Sequence, residues 1–211
     1  MPRPVAVVPW ATAIVLAGPL AAACGDNLPA APDAVTIDAP PPDAGTCNTT
    51  VEGFPLAAGT HVATCSPITY ATNPPTSGAH YPIWARYRSY PAPVPRGFWV
   101  HDLEHGAVVI TYNCPDGCAD DVAALEAFLA ARPADPTCTA PVANRFVVTP
   151  DPLLDTRFAA SAWGFALRAD CFDLGALGTF IDDHYARAPE DLCGDGVDPL
   201  DPQNGFPSPC P

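Results

Sequence analysis

The sequence contains no lysine, and its only methionine is Met1. The nine basic residues are all arginines, they stand against 23 acidic residues, and the net charge is −14. Because nucleic-acid binding depends on clustered basic side chains, this balance excludes a nucleic-acid partner. The negative charge also opposes contact with anionic lipid head groups and favours a cationic ligand. The lack of methionine beyond Met1 argues against a Cu(I) site built from thioethers.

Long apolar runs are missing as well, except at the start of the chain. Residues 5–23 are apolar and rich in alanine, but prolines interrupt them, which favours a cleaved signal peptide over residues 1–23. The letters Gly-Pro-Leu-Ala-Ala-Ala before Cys24 resemble a bacterial lipobox and predict a lipid on Cys24, although the leucine lies one residue further from the cysteine than expected. Ordinary cleavage after Ala23 is the alternative. We expect an exported lipoprotein, periplasmic or at the cell surface, that contacts a bacterial membrane only through its lipid anchor.

The segment that follows Cys24 is rich in proline, aspartate and alanine. Residues 24–45 bury too little apolar surface to offset their ordering entropy, so we expect a disordered linker. Residues 46–211 are then long enough for one core and predict a single globular domain, with a loop-like tail from about residue 191.

Nine cysteines make an odd number, and assigning Cys24 to the lipid leaves eight. Eight cysteines fit four disulfides in an oxidising compartment, but their connectivity cannot be read from the sequence. Short spacing favours the pairs Cys114–Cys118 and Cys193–Cys210. A redox or metal role for Cys114 and Cys118 is the less favoured alternative, because three residues separate them where a thioredoxin motif has two. The eight are Cys47, Cys65, Cys114, Cys118, Cys138, Cys171, Cys193 and Cys210.

Hydrophobic periodicity predicts an α+β fold. Apolar or alternating runs predict strands at residues 107–113, 145–149 and 161–168, and helical spacing predicts helices at 119–132 and 174–186. This β-α-β-β-α order implies a small β-sheet with helices packed on it. A disulfide-braced domain of this kind would have one core.

The stretch from residue 47 to residue 100 precedes that core and is rich in proline, threonine and glycine. We expect an irregular segment laid over the sheet, and such segments often carry function. Its aromatic residues Tyr81, Trp84, Tyr87 and Tyr90 either belong to the core, which we favour, or form a binding surface.

Two polar motifs hold three of the five histidines: Asn73-Pro-Pro-Thr-Ser-Gly-Ala-His80 and His101-Asp-Leu-Glu-His105. The second has the H-x-x-E-H spacing of inverted zinc peptidases, in which both histidines bind zinc from one face of a helix. The residues before His101 resemble an extended segment, Gly106 follows, and a strand begins at once. We therefore expect no helix there and disfavour a peptidase of this type.

A metal site does not require a helix. His80, His101 and His105 predict a three-histidine site for a divalent metal such as zinc or copper(II). Asp102 or Glu104 would orient a ligand or complete the set.

The alternative is that these residues only shape loops. Asn73, Thr76 and Ser77 favour a tight turn that would hold His80 by hydrogen bonds. His61 and His184 lie outside both motifs, and we expect them to be surface or packing residues.

These motifs resemble the signature of the bacterial domain-of-unknown-function family 3105. The resemblance rests on the two histidine motifs, on Trp84-Ala85 and, more weakly, on residues 162–164 and 180–190, and it spans about residues 60–191. It implies an exported or membrane-anchored protein and brings no established activity. This chain departs from the pattern at Arg88, where a glycine is usual. Its cysteine framework is also an addition, so Cys114 and Cys118 are not expected in a shared site.

Three functions follow as hypotheses. The leading one is a metal-binding lipoprotein of the cell envelope. The second is a hydrolase in which Glu104 acts as general base, with a metal or as part of a histidine–carboxylate pair. The third is a non-catalytic interaction module, whose protein partners the sequence does not indicate.

Overall fold

The computed structural model describes residues 47–211. The predicted signal peptide, the predicted lipid attachment at Cys24 and the predicted linker at residues 24–45 lie outside the described residues. One five-stranded sheet and three α-helices form the domain, which confirms the predicted α+β class and adds two strands and one helix to the predicted elements. Their bounds in chain order are β1 Thr49–Gly53, α1 Arg96–Glu104, β2 Val108–Tyr112, α2 Ala119–Ala130, β3 Phe146–Pro150, β4 Phe158–Ala162, β5 Phe165–Ala169 and α3 Leu174–His184.

The sheet is mixed, with strand order β1-β5-β4-β2-β3. Strands β2 and β3 are parallel and are joined through α2, whereas all other neighbours are antiparallel. A parallel pair needs a long crossover, and a helix supplies it here. The fold is therefore α+β, with one β-α-β unit extended by a hairpin.

Alternation along the central strands gives the sheet two buried faces. Val108 and Val148 point into a core shared with α2 and α3, whereas Val109 and Val147 point into a second core. That second core contains α1 and the irregular segment before it. Because successive strand residues point to opposite faces, the uninterrupted apolar residues of β2 and β3 indicate that both faces of these strands are buried.

The irregular segment covers the second face, as expected from its composition. Tyr81 and Tyr90 are each 1% exposed and pack in this core, so they cannot form an exposed aromatic surface. The backbone of Arg88 and Tyr90 also exchanges hydrogen bonds with Val148, which covers the free edge of β3.

The single strand predicted at residues 161–168 is wrong, because two strands and a turn occupy this region. Residues 158–169 form a hairpin, β4–β5, whose turn consists of Trp163 and Gly164, so the predicted strand at 161–168 runs through a turn. Gly164 has a φ of +80°, which favours glycine. The alternation of Trp163, Phe165 and Leu167 concealed the turn. Strand β1, which pairs with β5, was not predicted.

Four disulfides join the eight cysteines. The predicted pair Cys114–Cys118 is confirmed, and the predicted pair Cys193–Cys210 is wrong. Cys210 of the tail meets Cys65 in the irregular segment, and Cys193 meets Cys138 in the connection between α2 and β3, so the two do not pair with each other. The remaining pairs are Cys47–Cys171, Cys65–Cys210 and Cys138–Cys193.

None of the helices within residues 47–211 has the length and apolar character needed to cross a membrane.

Candidate metal site

The second histidine motif lies on a helix, contrary to the expectation from sequence. Helix α1 runs from Arg96 to Glu104, and His105 is its C-terminal cap. Every residue from Gly97 to Leu103 is buried, including His101 and Asp102, so this part of the helix has no exposed face and the sequence shows no amphipathic periodicity. Its glycine has a packing reason, since a Cβ on Gly97 would overlap the ring of Tyr81.

Gly106 ends this helix and fixes the position of His105. Its φ is +84°, its N–H donates to Leu103 O, and Ala107 N–H donates to Asp102 O. These two bonds form a Schellman motif, in which glycine is the favoured residue. His101 and His105 are therefore one turn apart on the same face, and their Nε2 atoms are 3.2 Å apart.

The backbone brings His61 beside His80. The two residues form a parallel β-bridge, in which Val62 N–H donates to His80 O and His80 N–H donates to Thr60 O. The imidazole centroids of His61 and His80 are 4.9 Å apart, and each lies within 5 Å of the His101 centroid. Three histidines from three parts of the chain thus share one location.

Hydrogen bonds fix the tautomers of the two buried rings in this cluster. His80 Nδ1 is 2.9 Å from Gly78 O, and His101 Nδ1 is 2.6 Å from Tyr81 O. A carbonyl oxygen only accepts, so each Nδ1 carries the proton and donates. In the neutral form of either ring, the Nε2 atom then keeps a lone pair. Metal-binding histidines have this arrangement, with one nitrogen donating to a carbonyl or carboxylate.

Glu104 faces the free nitrogen of His80. Its Oε2 atom is 3.0 Å from His80 Nε2, yet the two atoms form no hydrogen bond of acceptable geometry. Two lone-pair acceptors at this distance repel unless a proton or a cation lies between them. The carboxylate is 14% exposed, and Gly59 leaves it room, because a Cβ at Gly59 would overlap Glu104 Oε1.

One ligand atom from each of His61, His80, His101 and Glu104 lies within 4.8 Å of the others; we call these residues the four-ligand cluster. His80 is fully buried, whereas His61 is exposed and opens the cluster to solvent. Of the three ligands predicted from the sequence, His80 and His101 belong to this cluster. His61, which the sequence did not predict as a ligand, also belongs to it. His105 contacts His101 and Glu190 but is not among the four.

The other polar residues of the motifs hold the surrounding loops. Ser77 Oγ accepts from Ala57 N–H, and Thr76 O accepts from Gly164 N–H. Asn73 accepts from the Arg96 guanidinium, at 2.7 Å, and donates to Leu153 O. These contacts tie the first motif to the hairpin turn and to the start of α1, which places His80.

Asp102 points away from the histidines toward the backbone of the irregular segment. It is fully buried, and its Oδ2 atom accepts from Ala85 N–H at 3.2 Å. Burial raises the pKa of Asp102 well above its usual value, and the hydrogen bond from Ala85 opposes this only in part. His184 packs on Phe165 with ring centroids 4.1 Å apart, as expected for a packing residue.

Burial also decides the charge of the two helix histidines. It lowers the pKa of His101 to about 4, although the hydrogen bond to Tyr81 O acts in the opposite direction. It lowers the pKa of His105 to about 4, and the charges of His80 and Arg145 add to the effect. Both rings are neutral at pH 7, so their lone pairs remain available to a cation.

The fold and this cluster define a disulfide-braced α+β domain with a histidine-rich group suited to a metal ion. The chain belongs to the family described as "Protein of unknown function (DUF3105)", whose model matches residues 61–194. The match begins at His61 and includes the whole four-ligand cluster. Comparison with curated proteins and with solved structures gave no significant match.

Proposed function

We propose that this protein is an exported domain of the bacterial cell envelope that binds one divalent metal ion, zinc or copper(II), at the four-ligand cluster. The observation that carries the proposal is the convergence of His61, His80, His101 and Glu104 within 4.8 Å, with two of the rings held in the ligand tautomer. Three imidazole nitrogens and one carboxylate oxygen suit either metal.

The pairing of His80 with Glu104 also supports a cation at this place. His80 Nε2 is 3.0 Å from Glu104 Oε2, and the two side chains are 0% and 14% exposed. A proton or a metal ion between the two atoms gives each of them a favourable partner. The desolvation that opposes charge here is offset only if opposite charges are paired.

The four disulfides support export, because such bonds persist in oxidising compartments. In this proposal a lipid on Cys24 anchors the domain, and that residue's role is open to direct test. Mass spectrometry of the chain purified from membranes should find a diacylated N-terminal Cys24, and an unmodified N-terminus would contradict it.

Isothermal titration of the full oxidised chain with zinc tests the metal proposal. We expect one ion per chain, with affinity reduced at least about 100-fold in His80→Ala and in His101→Ala, since each removes a ligand. The matched control is His184→Ala, which removes a histidine outside the cluster and should bind zinc like the unaltered chain. Equal binding by all four proteins, or no binding by any, would refute the proposal.

A metal-dependent hydrolase is the second candidate, and the position of the Glu104 carboxylate in the four-ligand cluster favours it. Helix α1 supplies the helix that an inverted zinc peptidase needs, but His105 lies outside the cluster, so a peptidase with both motif histidines as ligands stays disfavoured. In this reaction Glu104 would take the proton of a metal-bound water. Glu104→Gln then keeps bound zinc and abolishes turnover of ester, peptide or phosphate substrates. Loss of zinc in the same variant assigns Glu104 as a ligand instead.

A further inference from the structure

We propose that an open cleft next to the four-ligand cluster binds an aliphatic carboxylate, with Arg187 as the partner of its anionic head group. The cleft has a volume of about 640 Å³, which lies within the range of pockets that hold small-molecule ligands. None of its lining residues belongs to the four-ligand cluster, so binding in the cleft does not depend on a metal ion.

One side of the cleft consists of the end of β1 and the turn between β4 and β5. Phe54 N–H donates to Gly164 O at 2.8 Å, and Gly164 N–H donates to Thr76 O at 2.9 Å. Trp163, in the same turn, lines the cleft and contacts His80 edge-on, with ring centroids 6.5 Å apart. Trp163 therefore borders both the cleft and the four-ligand cluster.

A short segment after α3 forms the other side of the cleft. Ala186 N–H donates to Gly106 O at 2.8 Å, and Glu190 N–H donates to Glu104 O at 3.0 Å. Residues 187–189 are therefore attached at both ends to the backbone at the end of α1. Ala186 has a φ of +56°, a conformation that residues other than glycine rarely adopt. Backbone contacts thus hold both sides of the cleft in place without a ligand.

The lining of the cleft favours a hydrocarbon ligand without internal polar groups. Leu56 and Phe165 are 62% and 39% exposed, so a ligand that covers them removes apolar surface from water. Trp163 Nε1 is buried, which leaves the Arg187 guanidinium as the polar side-chain group that a ligand can reach. An amide or a sugar would lose hydrogen bonds to water here and regain few of them. The apolar lining residues are Phe54, Leu56, Trp163, Phe165, Ala188 and Pro189.

Arg187 supplies the charge that complements an anion. Within residues 47–211, seven of the eight arginines lie within 4.0 Å of a carboxylate oxygen, whereas Arg187 does not. Glu190, on the same segment, directs its carboxylate to His105 Nε2 at 3.2 Å. The arginine at the apolar cleft is thus the one left available to a ligand in this part of the chain. The paired arginines are Arg86, Arg88, Arg96, Arg132, Arg145, Arg157 and Arg168.

A single arginine matches a singly charged head group. A carboxylate carries one negative charge and accepts two parallel N–H bonds from a guanidinium. A phosphate monoester brings about two negative charges, which a chain with a net charge of −14 disfavours when one cation is available. The lining and the charge together therefore point to an aliphatic monocarboxylate.

Isothermal titration of the full oxidised chain with decanoate, below its micelle concentration and in the presence of a chelator, tests this site without a metal ion. We expect one decanoate per chain. Octanoate should bind about 15-fold more weakly, because each buried methylene strengthens binding about fourfold. Decanol, which has the same hydrocarbon chain and no charge, should bind about fivefold more weakly than decanoate.

Two substitutions with matched controls assign the head group and the apolar lining. Arg187→Gln should weaken decanoate binding about fivefold and abolish the preference for decanoate over decanol, whereas Arg86→Gln removes an exposed arginine outside the cleft and should change neither. Leu56→Glu should weaken decanoate binding at least about tenfold, because it places a negative charge in the cleft. Leu153→Glu adds the same charge at an exposed leucine elsewhere and should bind decanoate like the unaltered chain.

The outcomes separate this inference from the proposed function. If decanoate does not bind, or if Arg187→Gln and Arg86→Gln bind it equally, the carboxylate site is refuted while the four-ligand cluster stands. If Leu56→Glu and Leu153→Glu weaken binding alike, the effect comes from overall charge, and the cleft is again refuted. A chain that binds decanoate and no zinc keeps the carboxylate site and refutes the metal proposal.

Discussion

Burial of two neutral histidines makes the stability of the metal-free domain depend on pH. His101 and His105 are 4% and 2% exposed, and burial lowers the pKa of each from 6.5 to about 4. In the unfolded chain both rings bind a proton below about pH 6.5. At these two sites the unfolded state therefore binds more protons between pH 6.5 and pH 4, and their contribution to the free energy of unfolding falls as the pH falls.

The size of the effect follows from the two pKa values. A tenfold change in a proton equilibrium corresponds to about 1.4 kcal/mol, so each histidine contributes about 3 kcal/mol that is fully present at pH 7 and lost near pH 4. The free energy of unfolding of a small domain is only about 5–15 kcal/mol. Protonation of both histidines would therefore remove a large fraction of the stability of the domain.

Urea denaturation of the chain in the presence of a chelator, at several pH values from 7 to 4.5, measures this dependence. His101→Gln removes one of these two histidines, so its free energy of unfolding should fall less steeply with falling pH than that of the unaltered chain. His184, whose pKa burial also lowers, and Asp102, whose raised pKa acts in the opposite direction, titrate in both proteins, so only the difference between the two slopes is interpreted. Identical slopes for the two proteins would contradict the buried neutral state of His101.

Two further substitutions test the packing around the cluster. Gly59→Ala should displace the Glu104 carboxylate and weaken zinc binding about tenfold in a calorimetric titration, whereas Gly175→Ala, at an open helix position, should leave it unchanged. Arg145→Met should lower the free energy of unfolding by about 3–5 kcal/mol in urea, because it leaves the buried Asp135 carboxylate unpaired. An effect below about 1 kcal/mol would contradict the buried ion pair.

The sequence predicts those helices and strands whose buried residues recur with a regular hydrophobic spacing. Helix α3 buries Leu177, Phe180 and Ile181, which recur at helical spacing, and the apolar letters of β2 mark a strand buried on both faces. Helix α1 shows no such spacing, because it is buried on all sides. Phe98 and Trp99 also have low intrinsic helix propensity, and tertiary packing overrides it.

The candidate site was predictable only where its residues share a motif. His80 and His101 stand out because each lies in a dense polar stretch. His61 stands alone among threonine, valine and alanine, and only the long-range bridge to His80 makes it a neighbour. The separation of His105 from the four-ligand cluster likewise depends on how the helix ends at Gly106. Residue spacing alone does not predict this geometry.

The X-ray absorption spectrum of the zinc-loaded full chain reports the ligands of the bound ion. Zinc in the four-ligand cluster gives a first shell of nitrogen and oxygen at about 2.0–2.1 Å, with outer-shell scattering from about three imidazole rings that falls by one ring in His101→Ala. A shell of oxygen atoms without imidazole scattering, or a spectrum that His101→Ala leaves unchanged, would contradict it.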